Sequence, residues 1–364
     1  GIGDASGMFP IDVDTKSYRK DLLEEANHIF KTEHFENSVE KILPEIKLAG
    51  ENGGLLTEDG ATLLDSSGNL EAGILMCPPE GDAGTGMVAT NTVAQNTGNI
   101  SAGTSAFAMV VLSNALKDMY PEIDVVTTPD GSEVAMIHTN NCTSDINDWM
   151  NLFGEVLSVM GVDFSSDDLY GHIFKHSLSS DDNIGGLLSY NYVSGENITD
   201  VETGYPLFIR EPNYQFNLAN FMKMHLFSAF STLKIGMDLL KENESIDIDK
   251  LIAHGGIFKT EEIAQQVLAS ALEQPITVME TASEGGAWGI SVLAYYVALD
   301  TEVPLDVFLN ESVFINTKES TLKPIEQEVV NFNNYVEKMK NGLSIEQSAS
   351  KYLGGDTNAR SVKI

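Results

Sequence analysis

Four short glycine-rich segments are spread along this chain of 364 residues, and they limit what it can fold into. They occupy residues 81–86, 103–105, 251–256 and 284–289. Glycine lets the main chain approach a ligand closely, and successive N–H groups in glycine turns bind anions. The four segments together therefore predict a nucleotide cleft. The plain alternative for the last two is a tight strand-to-helix connection in an α/β layer.

The first segment adds a carboxylate, Asp82, to its glycine turn. A lone carboxylate beside turns that hold phosphate can serve as a general base. The competing interpretation is an ordinary hairpin turn in which Asp82 caps its own backbone. We therefore expect Asp82 to lie in a turn, either as a base or as a cap.

Hydrophobic patterning predicts the elements around these turns. Residues 72–77 read as a buried strand, and residues 217–240 carry apolar side chains at helical spacing, which indicates a buried packing helix. Helix-capping signals place Thr143 or Ser144 at the start of one helix and Thr260 at the start of another. The remaining predictions are strands at residues 100–102, 106–112, 134–138, 250–253 and 276–279, helices at 18–30, 143–157, 260–272 and 326–353, and a loose tail at 354–364.

Composition and charge exclude several classes of protein. The formal net charge of −33 would repel a nucleic-acid backbone or an anionic lipid surface, so neither nucleic acid nor a membrane is an expected partner. ATP would meet the same repulsion unless Mg²⁺ offset it. The chain has two cysteines, too few for a disulfide framework, and the N-terminal sequence has no basic patch followed by an apolar run. These features predict a cytoplasmic location.

The order of the motifs resembles the FGGY carbohydrate kinases, and within them a xylulokinase-like pattern. The resemblance begins at residues 3–7, Gly-Asp-Ala-Ser-Gly, and continues through the first two glycine segments, residues 192–196 and the two late glycine segments. It implies an α/β fold of the actin-like ATPase (ribonuclease H-like) type, a two-domain sugar kinase fold whose N-terminal domain is incomplete. We expect a remnant of that domain at 1–100, a nucleotide-binding C-terminal domain at 101–325, and a C-terminal helix and tail at 326–364.

The N-terminal part is expected to be missing because the opening Asp-Xaa-Gly-Thr turn of such kinases should lie well before Asp4. One alternative is that residues 82–85 are that opening turn and the chain is a complete, shorter relative. The spacing to residues 103–105 favours Asp82 as the catalytic base instead.

The resemblance implies a role for each motif. Asp82 would accept the proton of a sugar hydroxyl, and Asp82 and Ala83 would contact the sugar. Mg²⁺ would bridge the phosphates, and no protein metal ligand is predicted. The expected ATP-binding residues are Gly103 and Thr104, whose N–H groups would face the phosphates, and Gly255, Gly256, Phe258 and Lys259 at the nucleoside.

The implied reaction is transfer of the γ-phosphate of ATP to a sugar hydroxyl. A ketopentose such as xylulose is the first expectation, although Ala83 stands where xylulokinases commonly have Asn, so gluconate or another polyol remains open. Two other hypotheses are a truncated nucleotide-binding protein without catalysis and a subunit completed by a partner chain. A homodimer is possible.

Overall fold

The computed structural model describes residues 1–280 and 285–353, which form a mixed α/β structure. In chain order the strands are β1 (Ile11–Asp12), β2 (Ser17–Tyr18), β3 (Gly54–Leu55), β4 (Leu75–Met76), β5 (Thr97–Ala102), β6 (Ala106–Val111), β7 (Asp124–Thr127), β8 (Glu133–Thr139), β9 (Leu188–Tyr190), β10 (Leu207–Ile209), β11 (Lys250–His254), β12 (Ile276–Met279) and β13 (Glu319–Leu322). The helices are α1 (Ile2–Met8), α2 (Lys20–Thr32), α3 (Glu58–Leu64), α4 (Asp82–Ala89), α5 (Ser144–Val159), α6 (Ser166–His176), α7 (Leu218–Glu244), α8 (Ile263–Leu272), α9 (Gly285–Ala298), α10 (Leu305–Phe308) and α11 (Glu326–Leu353).

A seven-stranded mixed sheet organises the structure, in the order β13-β12-β11-β5-β6-β8-β7. The three central strands β12, β11 and β5 run parallel, and β6, β8, β7 and β13 are each antiparallel to a neighbour. Parallel strands need helical crossovers, which cover both faces of such a sheet. The carboxyl ends of β5 and β11 therefore lie side by side, with Ser101 opposite His254.

One face of the sheet packs against the long helix α7. Twenty of its 27 residues are buried, because the helix contacts β6 and β8 of the sheet and is flanked by α6, α8 and α11. Even Lys223 and Lys234 are about 6% exposed, and they pair with Glu328 and Asp238 at the helix edges. The prediction of a buried packing helix from residue 217 is confirmed, with the side chain of Asn217 accepting a hydrogen bond from Asn220 N as the N-cap.

The opposite face packs against α4 and α9. Met87 and Val88 of α4 and Val292 and Leu293 of α9 are buried there, together with Ile252 of β11. Successive side chains of a strand point to opposite faces of the sheet. In β11, Leu251 and Ala253 therefore pack in the core on the α7 side, and Ile252 packs in the core on the α4 side.

Several sequence predictions fail at the level of single elements. The predicted buried strand at 72–77 is only the two-residue β4, and Ile74 and Met76 are exposed. Thr260 does not cap a helix, because residues 256–259 form a 3₁₀ turn and α8 begins at Ile263 after Glu262. Thr143 precedes α5 but caps nothing with its side chain.

Two further predictions concern the ends of domains. The boundary predicted at residue 100 falls within β5, so no break in secondary structure marks it, and the domain division stays a prediction. The predicted tail at 354–364 lies outside the described residues. Within those residues, each helix is too short or too polar to cross a membrane.

Candidate active site

Asp82 lies at the start of a helix rather than in a turn, which corrects the prediction for the first glycine segment. It is the first residue of α4, after the N-cap Gly81, and it is exposed. The hydroxyl of Thr85 donates to the Gly81 carbonyl (2.8 Å), which closes the first turn. The free N–H groups and the dipole at a helix N-terminus favour a negative charge there. The carboxylate of Asp82 accepts no hydrogen bond from the described residues.

The first turn of α4 lies directly on the first turns of α9. A Cβ added to Gly289 would overlap the carbonyl oxygen of Thr85, and one added to Gly286 would lie 3.1 Å from the Thr85 hydroxyl. The neighbouring Trp288 does not prevent this close packing, because its side chain points outward and is 39% exposed. The fourth glycine segment thus packs a helix against α4, and its first residue, Glu284, lies outside the described residues.

Helix α1, which carries the motif at residues 3–7, contacts the start of α4. Gly3 N donates to the Glu80 carboxylate (3.3 Å), and Asp4 Oδ1 lies 2.9 Å from where a Cβ on Gly81 would stand. Glu80 is largely buried, and burial raises the pKa of its carboxyl to about 7. The sequence analysis did not single out Glu80, because nothing in its spacing indicated that α1 would cover it.

The second glycine segment joins β5 and β6 in a tight turn, as predicted. The Gly103 N–H, which was predicted to face the phosphates, donates to Ser105 O (2.9 Å) within the turn. The Gly103 carbonyl accepts from the Thr143 hydroxyl (2.7 Å), which ties the turn to the start of α5. Thr104 is exposed, and neither its N–H nor its hydroxyl has a partner among the described residues.

The third glycine segment abuts the second. Gly255 has φ +121°, and a Cβ there would overlap the carbonyl oxygen of Ala102 at the end of β5. Only glycine combines that dihedral angle with so close an approach. Because β5 and β11 are parallel neighbours, the two turns emerge at the same edge of the sheet.

A cavity of about 430 Å³ opens between these two turns and the helices α5 and α6. That volume is in the range of small-molecule sites, about 300–1,000 Å³. It brings together the predicted residues Gly103, Gly256 and Lys259. Sequence reasoning did not assign the rest of the lining to the site. It comes from the ends of the two turns (Ala102, Ile257 and Thr260) and from the start of α5 and from α6 (Thr143, Ile146, Asn147, Ser166, Asp167, Tyr170 and Phe174).

A second cavity of about 690 Å³ lies on the other side of the third turn. Its lining includes Gly255, Gly256, Lys259 and Phe258, but Phe258 is a core residue, 7% exposed and stacked on Phe230 with ring centroids 6.3 Å apart. Phe258 therefore supports the turn from below and does not line the first cavity. Asp82 and Ala83 line neither cavity.

Sequence comparison identifies the family of this arrangement. A model of the FGGY family of carbohydrate kinases, C-terminal domain, matches residues 98–298, which is more than half of the chain. The chain belongs to the FGGY family. The matched range runs from β5 to the end of α9 and includes the last three glycine segments. Comparison with curated proteins gives no match.

Solved structures of FGGY kinases share the fold. A ligand-bound xylulose kinase from Lactobacillus acidophilus superposes with a TM-score of 0.70 at 14% identity, over 93% of this chain and 63% of that one. A gluconate kinase from the same organism gives 0.70 at 13% identity, over 94% and 63%. Plasmodium falciparum glycerol kinase with ADP gives 0.64 at 14% identity, over 90% and 60%. The predicted actin-like ATPase fold of the sugar kinases is therefore confirmed, and the chain spans less than two thirds of the length of these relatives.

The described residues contain no group of three or more His, Cys, Asp or Glu side chains that could hold a metal ion. Mg²⁺ at nucleotide sites takes most of its ligands from phosphates and water, with one or two carboxylates. A Mg²⁺ ion held mainly by the phosphates of a nucleotide would be compatible with the described residues.

Proposed function

We propose that this chain carries the nucleotide-binding part and the catalytic base of an ATP-dependent carbohydrate kinase. One observation carries the proposal: the second and third glycine turns meet at the carboxyl edge of β5 and β11 and border a single cavity. Ligands of open α/β sheets bind at such edges. Family membership supports the same activity.

ATP would place its nucleoside in the first cavity and its phosphates along the two turns. Gly256 and Lys259 lie on one side of that cavity and Gly103 on the other. The free N–H and hydroxyl of Thr104 would donate to phosphate oxygens, a role that falls to Thr104 because the Gly103 N–H is engaged in its own turn. Bound Mg²⁺ would offset the phosphate charge, which matters in a chain with a net charge of −33.

Asp82 would accept the proton of the attacking sugar hydroxyl. The position suits this role, since the carboxylate is exposed at the start of α4 and is not engaged by the described residues. The packing of α4 against α9 would hold it in place. Ala83, the next residue, would face the sugar as predicted.

The sugar is proposed to be a ketopentose such as xylulose. Relatives of the same fold phosphorylate different substrates, as the names xylulose kinase, gluconate kinase and glycerol kinase state. The small side chain of Ala83 leaves gluconate or another polyol as the alternative substrate. A cytoplasmic location and a homodimer remain predictions.

Replacement of the base tests the proposal. Asp82→Asn in the native protein should lower sugar phosphorylation by about 10²–10⁴-fold while ATP binding persists, because only the proton acceptor is lost. Asp59→Asn, another exposed aspartate in the first turn of a helix, α3, is the matched control and should keep full activity. Undiminished turnover in Asp82→Asn would refute the catalytic role.

A second candidate is a nucleotide-binding protein that lacks catalysis alone or is completed by a partner chain. It is favoured by the positions of Asp82 and Ala83, which line neither of the two cavities. The two candidates differ in one assay, because ATP binding without phosphorylation of any sugar in a panel of pentoses, hexonates and polyols would favour the second.

A further inference from the structure

The two helices of the first cavity are joined by a hydrogen bond that the proposed kinase chemistry does not use. Tyr170 of α6 donates its hydroxyl to Oδ1 of Asn147 in α5 at 2.7 Å, and both residues line the cavity. Partial burial raises the pKa of Tyr170, so the phenol keeps the proton that it donates in this bond. With Tyr170 as the donor, Oδ1 is the atom of the Asn147 amide held toward α6.

The Asn147 amide keeps unused hydrogen-bonding capacity. An amide offers two lone pairs on oxygen and two N–H donors, and the Tyr170 hydroxyl occupies one lone pair. Nδ2 has no partner among residues 1–280 and 285–353, and Oδ1 has no second one. One acceptor and at least one donor, side by side in one plane, are thus available to a ligand.

The cavity also provides an apolar setting for a flat ring. Ile146, Phe174 and Ile257 are each less than 10% exposed and lie in the lining. The charged side chains of the lining are Lys259, from the third glycine turn, and Asp167, in the first turn of α6. The apolar residues with the Asn147 amide suit a base, and Lys259 with the glycine turns suits its phosphates.

We propose that the Tyr170–Asn147 pair makes this cavity selective for a 6-amino purine over a 6-oxo purine. The amide oxygen can accept from the exocyclic amine of adenine while Nδ2 donates to the ring nitrogen N7, the two-point pairing that asparagine makes with adenine. In hypoxanthine or guanine the amine is replaced by a carbonyl oxygen, which would face Oδ1 as a second acceptor. The inference rests on the proposed nucleotide site and assigns a specificity role to residues outside its glycine motifs.

Tyr170 is a positioning residue in this scheme. Without its hydroxyl, the amide of Asn147 can rotate by half a turn and present Nδ2 where Oδ1 had been. The rotated amide would suit the carbonyl of a 6-oxo purine, so the preference between the two bases should weaken rather than binding as a whole.

The test compares ATP with inosine triphosphate, which differ at the 6-amino position, using ligand-observed NMR titrations that detect millimolar dissociation constants. We expect the 364-residue chain to bind ATP at least about tenfold more tightly than inosine triphosphate. Tyr170→Phe should reduce this ratio by about two- to tenfold, and Asn147→Ala should bring it close to one. Tyr214→Phe removes a hydroxyl at a different cavity and should leave the ratio unchanged.

The outcomes distinguish failure of the proposed nucleotide site from failure of the proposed selectivity for adenine. If neither nucleotide binds the wild-type chain, the proposed nucleotide site itself is wrong. If both bind equally, or if the ratio persists in folded Asn147→Ala, the nucleotide site stands and the selectivity proposal is overturned. If the ratio is lost in Asn147→Ala and kept in Tyr170→Phe, the positioning role of Tyr170 is refuted. Far-UV circular dichroism and thermal unfolding establish that each variant is folded.

Discussion

Gly289 of α9 lies against the carbonyl oxygen of Thr85 in the first turn of α4, so closely that no side chain fits between them. Thr85 is three residues after Asp82, and its hydroxyl closes the turn that Asp82 begins. The position of the proposed base is therefore set by a helix crossing rather than by its own loop. A change at Gly289 should act on both stability and activity.

Gly289→Ala tests this relationship. A methyl group at the crossing must push α4 and α9 apart, and we expect the free energy of unfolding to fall by roughly 1–3 kcal/mol, as for overpacked cores. Sugar phosphorylation by the native protein should fall further than the loss of folded protein explains. Denaturant unfolding and turnover per folded molecule measure the two effects.

The matched control is Gly171→Ala, in the middle of α6, where a new Cβ has no atom within 4 Å. It should raise stability by roughly 0.5–1 kcal/mol through helix propensity. Equal behaviour of the two variants would mean that the α4–α9 contact is not tight.

Neighbouring glycines of the third segment should respond differently to the same change. Gly255→Ala must fit a side chain at φ +121° against the Ala102 carbonyl, so it should destabilise the protein by about 1–3 kcal/mol. Gly256 has no atom within 4 Å of an added Cβ, and Gly256→Ala should fold normally. Because Gly256 is exposed in the first cavity, its added methyl group should weaken ATP binding. Thermal unfolding measures the stability of each variant, and ATP titration measures its nucleotide affinity. A Gly255→Ala variant as stable as the wild type would contradict the close contact between Gly255 and the Ala102 carbonyl.

Lys259 and Lys318 offer a matched pair of exposed lysines. Lys259 lines both cavities, whereas Lys318 lines only the second. If the nucleotide phosphates lie at the first cavity, Lys259→Ala should weaken ATP binding about three- to tenfold, with the larger effect at low ionic strength. Lys318→Ala should leave the dissociation constant unchanged. Weaker ATP binding in Lys318→Ala would move the nucleotide to the second cavity, which both lysines line.

Glu346 of α11 predicts a pH dependence of stability. Its side chain is fully buried and accepts from Tyr205 N at 2.6 Å, and burial raises the pKa of its carboxyl to about 7. The folded state therefore binds this proton more strongly than the unfolded state, whose glutamate pKa is near the ordinary value of about 4.3. The protonated Glu346 carboxyl therefore stabilises the folded state. This contribution is fully present below about pH 4.3 and is lost as the pH rises through about 7.

Glu346→Gln keeps an acceptor for Tyr205 N and removes the charge. At pH 8 we expect its melting temperature to exceed that of the wild type by about 2–4 °C, with the difference shrinking as the pH falls and vanishing below about pH 4. Glu80, whose pKa is also raised to about 7, titrates in the same window in both proteins, so each comparison is made at one pH. A difference that does not depend on pH would refute the assignment.

Local sequence patterns predicted the elements in which apolar side chains recur at a regular spacing or form a continuous run. Helix α7 was predicted from residue 217 because apolar side chains recur at helical spacing, and the β5–turn–β6 unit because two apolar runs flank Gly103 and Thr104. The same reasoning failed at Asp82, where glycines suggested a turn. The structure has helix α4 there, and its first turn packs on Gly286 and Gly289 of α9, a contact between positions far apart in the chain.

The sequence by itself determined the family, the main strands and helices, and the residues on the second and third glycine turns, because glycine, charge and hydrophobic period act over a few neighbouring positions. Only the tertiary structure decided which of those residues meet. It brought Gly103 and Gly256 to one cavity with Asn147 and Tyr170, engaged the Gly103 N–H within its own turn, and set Phe258 in the core. The physical reason is that these contacts join positions far apart in the chain, and they depend on the order of strands in the sheet, which no local pattern encodes.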